Sequence, residues 1–109
     1  METPIVVNYK TDPFDIWIGR HESVFEPRQF GNPFVVGVHG IRGECVQKYE
    51  KWLRTGDRQN CRFATDARRE YVLNHLHLLA GKRIGCACKP RPCHGDVLVQ
   101  LFKEKYASH

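Results

Sequence analysis

The chain has 109 residues, 41% of them hydrophobic and 27% charged. That is the balance of one folded soluble domain, residues 1–109, and leaves little room for a second. No stretch approaches the ~20 consecutive apolar residues that span a membrane, and Met1-Glu2-Thr3-Pro4 lacks the basic and then apolar pattern of a secretory signal. The expectation is a cytoplasmic protein with no membrane partner, and the net charge of +5 suits phosphates or nucleic acid without requiring them.

The first third reads as short strands and turns. Ile5-Val6-Val7-Asn8-Tyr9 is an apolar run suited to a buried strand. Asp12-Pro13 marks a turn, and Phe14-Asp15-Ile16-Trp17-Ile18 is a second strand ending at Gly19-Arg20. The breaker cluster Gly31-Asn32-Pro33-Phe34 follows, and Phe34-Val35-Val36-Gly37-Val38 is expected to form a third strand. Helical spacing then takes over. Ile41, Cys45, Tyr49, Trp52 and Leu53 make one apolar stripe that Gly56 ends. Thr65 is the N-cap of a second helix running to Ala80. Arg83 to Cys88 is a late strand, Lys89-Pro90-Arg91-Pro92 a restricted turn, and a last helix starts near Cys93 with Val97, Leu98, Leu101, Phe102 and Tyr106 facing inward. The expected fold is α/β or α+β: short, mostly N-terminal strands, one late strand beside them, and three helices packed on the sheet.

The chemistry concentrates in Cys86-Ala87-Cys88-Lys89-Pro90-Arg91-Pro92-Cys93-His94-Gly95-Asp96. Five cysteines, an odd number with three inside eight residues and no export signal, argue for reduced thiols rather than a disulfide framework. Three uses of the segment compete. A strand leading into a helix start is a common ligand position in α/β sheets, and the unpaired N–H groups there favour anions. Lys89 and Arg91 add charge, although no Gly-rich phosphate loop is present. Alternatively, Cys86, Cys88, Cys93 and His94 form a legitimate zinc or iron donor set. Their pairs are Cys-x-Cys and adjacent Cys-His, however, and neighbouring residues on a helix point about 100° apart. Thirdly, a helix start favours a thiolate, so Cys93 with His94 and Asp96 reads as an activated nucleophile group. Against all three stands the reading of small core cysteines and helix-capping groups.

Zinc-deaminase, Cys-x5-Arg phosphatase and Cys-x-x-Cys redox signatures are absent. Arg20 is placed to hold a phosphate or carboxylate, or to make a surface ion pair. Asn32 offers a base- or sugar-reading amide, or a turn residue. His75 and His77, two apart on a helix, face different ways. Tyr49 and Trp52 read as core, and Cys45 and Cys61 as buried thiols.

Ile18-Gly19-Arg20, Gly31-Asn32-Pro33-Phe34, Tyr49-x-x-Trp52-Leu53 and Gly85-Cys86-x-Cys88-Lys89-Pro90-x-Pro92-Cys93-His94-Gly95-Asp96-Val97-Leu98, in that order, resemble the domain-of-unknown-function family numbered 4326, found in phages and bacteria. The resemblance spans about Val6 to Phe102. It implies one compact domain whose motifs act together, in a bacterial cytoplasm or that of a phage-infected host, and brings no established activity with it. Arg20, Asn32 and the loop from Cys88 to Asp96 are therefore expected to converge on one pocket at the strand ends. The leading expectation is a nucleotide or nucleic-acid-related phosphorylated ligand, held by Arg20, Asn32, Lys89 and Arg91, with Cys93, His94 and Asp96 nearest any chemistry. The alternative is a non-catalytic binding module stabilised by zinc or iron.

Overall fold

A computed structural model describes residues 2–19, 30–87, 89, 91 and 93–107. In chain order they form strands β1 (Ile5–Asn8) and β2 (Ile16–Trp17), helices α1 (Arg42–Thr55) and α2 (Asp66–Asn74), a 3-10 turn (Leu76–Leu79), strand β3 (Arg83–Cys86), helix α3 (His94–Phe102) and a wider helical turn (Lys103–Ala107). The fold is α/β. Its sheet has the order β1-β3-β2, and β3 runs parallel to both neighbours.

Register assigns the two faces of the sheet. Val7, Gly85 and Trp17 lie side by side, as do Val6, Ile84 and Ile16 one step earlier, so the two rows point to opposite faces. The first row faces the segment that carries the chain from β1 to β2. Phe14 of that segment lies so close to β3 that a Cβ on Gly85 would stand 2.7 Å from its ring. Glycine is what lets this connection cross the sheet without a helix. The second row, continued by Ile18, faces α3, where a Cβ on Gly95 would already be 2.8 Å from Ile18 and 3.1 Å from Val6. On that side lies the core, built from Ile18, Ile84, Val97 and Leu98 together with Phe30, Phe34, Tyr49, Trp52, Leu53 and Val72.

The helices follow the apolar spacing. α1 buries Cys45, Tyr49, Trp52 and Leu53; Glu44 accepts the Ile41 N–H at its start, and the Gly56 N–H returns to the Trp52 carbonyl at its end. α2 begins with the Thr65 hydroxyl accepting the Arg68 N–H, as the sequence predicts, but stops at Asn74 rather than Ala80. The His75 ring bonds the Tyr71 carbonyl at 2.7 Å while the His75 N–H turns to Val72. That tightens the chain into the 3-10 turn, in which residues three apart share a face, and both Leu76 and Leu79 enter the core.

The expected strand Phe34–Val38 is not one. Its hydrogen bonds close locally: the Val38 and His39 N–H groups reach the Val35 carbonyl, Gly37 N–H reaches the Gly40 carbonyl, and Val35 N–H reaches the His39 ring. Phe34 is buried, whereas Val36 and Val38 face solvent. The late strand spans Arg83–Cys86, with Ala87 already outside it, and Cys88 lies outside the described residues. No helix among the described residues is long and apolar enough to cross a membrane.

Candidate functional site

Because the strands are parallel, Asn8, Ile18 and Cys86 lie together at one edge of the sheet. α3 starts over that edge. Cys93, extended at φ −139° and ψ 145°, is its N-cap: its Sγ accepts the Gly95 N–H at 3.3 Å, and the Asp96 carboxylate accepts the Cys93 N–H at 3.3 Å. Sulfur here takes the place that a Ser or Asp oxygen usually fills. The Asp96 carboxylate also binds the Lys89 ammonium at 2.7 Å. That bond is the chief reason the Lys89 pKa is raised. The Asn8 side chain holds the turn from below, donating to the Lys89 carbonyl at 2.7 Å and accepting the Lys10 N–H.

His94 is buried and its Nε2 stands 2.6 Å from the Ile18 carbonyl. A carbonyl only accepts, so Nε2 carries the hydrogen, and in the neutral ring Nδ1 is the acceptor. Nδ1 lies 3.9 Å from Cys93 Sγ. The strand end thus orients an imidazole whose lone pair faces a thiol, although the two are adjacent in sequence. The pair is a proton acceptor beside a nucleophile in kind. Cys93 is fully buried, however, with 0% exposure. The thiol is therefore covered by packing, which keeps reagents from solvent off the sulfur.

The His94 ring packs edge-on against Tyr49 at 5.2 Å, and the Tyr49 hydroxyl donates to the Phe30 carbonyl at 2.7 Å. Burial pushes the Tyr49 phenol far above its usual range, against a smaller opposing pull from the Arg68 guanidinium. Tyr49 is therefore a fixed donor at neutral pH. Arg68 donates to the carbonyls of Gly31 and Phe63, each at 3.2 Å. Asn8, Tyr49 and Arg68 were not singled out by sequence as site residues. The available signals were a polar end to an apolar strand and a buried phenol that must find an acceptor.

Lys89, Arg91, Cys93, His94 and Asp96 come together at the start of α3, with Cys86 buried at the strand end beneath. Arg91 is exposed on the turn. Asn32 is used internally: it is buried, its Nδ2 donates to the Cys45 carbonyl at 3.1 Å and its Oδ1 accepts the Phe34 N–H at 2.9 Å. Its amide organises the turn between Gly31 and Phe34. Arg20 and Cys88 lie outside the described residues. Of the four metal donors read from sequence, Cys86, Cys93 and His94 are described, and His94 Nε2 and Cys93 Sγ already have protein partners. Among the described residues no group of three or more His, Cys, Asp or Glu side chains is arranged to hold a metal.

The chain matches, over residues 7–104, the family described as "Domain of unknown function (DUF4326)". It is 50% identical, over 110 aligned positions covering 94% of this chain and 82% of the relative, to a protein of Enterobacteria phage T4 described as an uncharacterised 12.4 kDa protein in the nrdA-td intergenic region. No solved structure matches the chain.

Proposed function

The chain belongs to the DUF4326 family, and we propose that it binds a nucleotide or a nucleic-acid-related phosphorylated ligand at the C-terminal edge of its parallel sheet. One observation carries the reading: the ends of all three strands meet the start of α3 where Lys89 and Arg91 stand in the preceding turn. Strand ends of this kind are the usual ligand positions of α/β sheets, and a helix start adds N–H donors and positive potential. In this reading Lys89 and Arg91 hold phosphate, joined by Arg20 from the segment that follows Ile18 and Gly19. Lys89 exchanges part of its bond to Asp96 for the ligand. Cys93 and His94 lie beneath the phosphate and are the groups nearest any reaction.

Binding of nucleotides and short DNA and RNA, measured at low and high salt, tests this. Affinity should fall with salt, with a log–log slope of about 0.7–0.9 per phosphate neutralised on a nucleic acid, and K89A/R91A should weaken binding several-fold. Absence of binding to every ligand would sink the reading. Elemental analysis of the same preparation supplies the alternative. Stoichiometric zinc or iron, lost with chelator together with the fold, would replace it by a metal-stabilised module on Cys86, Cys88, Cys93 and His94.

A further inference from the structure

The loop between α1 and α2 exposes a large aromatic ring among guanidinium groups. Phe63 is 43% exposed, and the Arg62 guanidinium lies 4.9 Å from its ring centroid. Arg58 is anchored to the Arg62 carbonyl. Among the described residues neither Arg58 nor Arg62 has a carboxylate partner; Asp57, the acid of the same loop, is engaged by Lys51. The display is braced from behind. Cys61 and Ala64 are buried on either side of Arg62 and Phe63, and the Cys61 thiol contacts the Pro33 carbonyl at 3.5 Å. The Gln59 amide ties the loop to the Lys48 carbonyl. Gln59 and Asn60 hold left-handed backbone at φ 51° and 62°, a conformation uncommon for residues other than glycine.

We propose that this loop is a stacking platform for single-stranded nucleic acid, with one base on Phe63 and the neighbouring phosphates on Arg58 and Arg62. An aromatic face takes any base, and unpaired guanidinium groups take the backbone on either side. A chain of hydrogen bonds and a ring contact links Phe63 to the strand-edge site. Arg68 binds both the Phe63 and Gly31 carbonyls, and residue 30 next to Gly31 accepts the hydroxyl of Tyr49, the ring that packs on His94. The inference rests on the proposed site to the extent that it names that site's ligand as a polymer, of which the strand edge takes one phosphate and Phe63 a base.

Fluorescence anisotropy with labelled oligo-dT and oligo-U of increasing length, competed with the corresponding mononucleotides, tests it. Affinity should rise with length. F63A should lose about 5- to 150-fold for the oligonucleotides and nothing for the mononucleotides, while F63W should retain binding. R58A/R62A should reduce the salt slope by up to about two phosphate contacts. Because Phe63 is part-exposed, thermal melts of F63A and F63W should stay near the parent and confirm folding. Mononucleotide binding with no gain on lengthening, or oligonucleotide binding indifferent to F63A, would overturn the platform and leave the strand-edge site standing. Phe63-dependent oligonucleotide binding that ignores K89A/R91A would keep the platform and remove that site. Co-sedimentation with phosphatidylserine-containing vesicles, with no binding of either oligonucleotides or mononucleotides, would overturn both in favour of a membrane surface.

Discussion

His94 shows how one backbone carbonyl can decide what a side chain does. The Ile18 carbonyl fixes the hydrogen on Nε2 and leaves Nδ1 toward Cys93. Tyr49 supports the ring from its other side and is itself held by the Phe30 carbonyl. Y49F removes the one hydrogen bond that Phe30 carbonyl receives from the phenol, in a buried setting where water replaces it poorly. It should cost about 1–2 kcal/mol in denaturant unfolding. A cost near zero would mean that the hydroxyl is solvated and does not organise the segment above His94.

At the scale of elements, α3 depends on having no side chain at its second residue. Alanine is the better helix former by about 1 kcal/mol, so an exposed G95A change would stabilise. Here a Cβ would stand 2.8 Å from Ile18 and 3.1 Å from both Val6 methyls, and Ile18 is fully buried. Overpacking of this kind typically costs about 1–3 kcal/mol. G95A should therefore lower stability by up to about 2 kcal/mol net. Any ligand binding at the strand edge should weaken with it, because the start of α3 must lift away from Ile18. A stabilised G95A protein would show that the sheet and helix have slack between them.

For the molecule as a whole, the last turn is tied back to α1 by a two-pronged bond from Arg54 to Glu104, at 2.7 and 2.8 Å. Gln100 donates to the same carboxylate. The Arg54 bonds are the largest cause lowering the Glu104 pKa from an ordinary 4.5 to about 2. The sign follows from linkage. The folded state holds this carboxylate ionised more firmly than the unfolded chain does, so the contribution is full above about 4.5 and is lost as pH falls toward about 2. E104Q should melt below the parent at neutral pH, and the gap should close across that acid window. Because the pair is half-exposed, added salt should narrow the gap at neutral pH as well. A gap independent of pH would assign the effect to packing instead of charge.

Much of this architecture was readable in the chain before folding. The 3.6-residue spacing from Cys45 to Leu53 and from Val97 to Phe102 marks helices that bury Cys45, Tyr49, Trp52 and Leu53 and then Val97, Leu98 and Phe102, because burial of one face is a local property of the pattern. Ile41, read as the head of the first stripe, is instead the N-cap of α1 and is 70% exposed. Thr65 declares the start of α2 and Cys93 that of α3 for the same reason: each cap acts within three residues of itself. What needed tertiary structure is whatever depends on a partner far along the chain. The run from Phe34 to Val38 has strand composition but closes its hydrogen bonds on itself, and composition cannot report whether an edge is open to receive a strand. Asn32 looks the same in sequence whether its amide meets a ligand or the Cys45 carbonyl. The Cys93–His94 pair is visible as two letters, but its orientation comes from Ile18, and its burial from the packing of α3 on the sheet. Sequence alone determined the residue types, the starts of α2 and α3, and a class of α/β or α+β. The fold decided which of those groups face each other, because hydrogen-bond direction and solvent access are set by neighbours that periodicity does not encode.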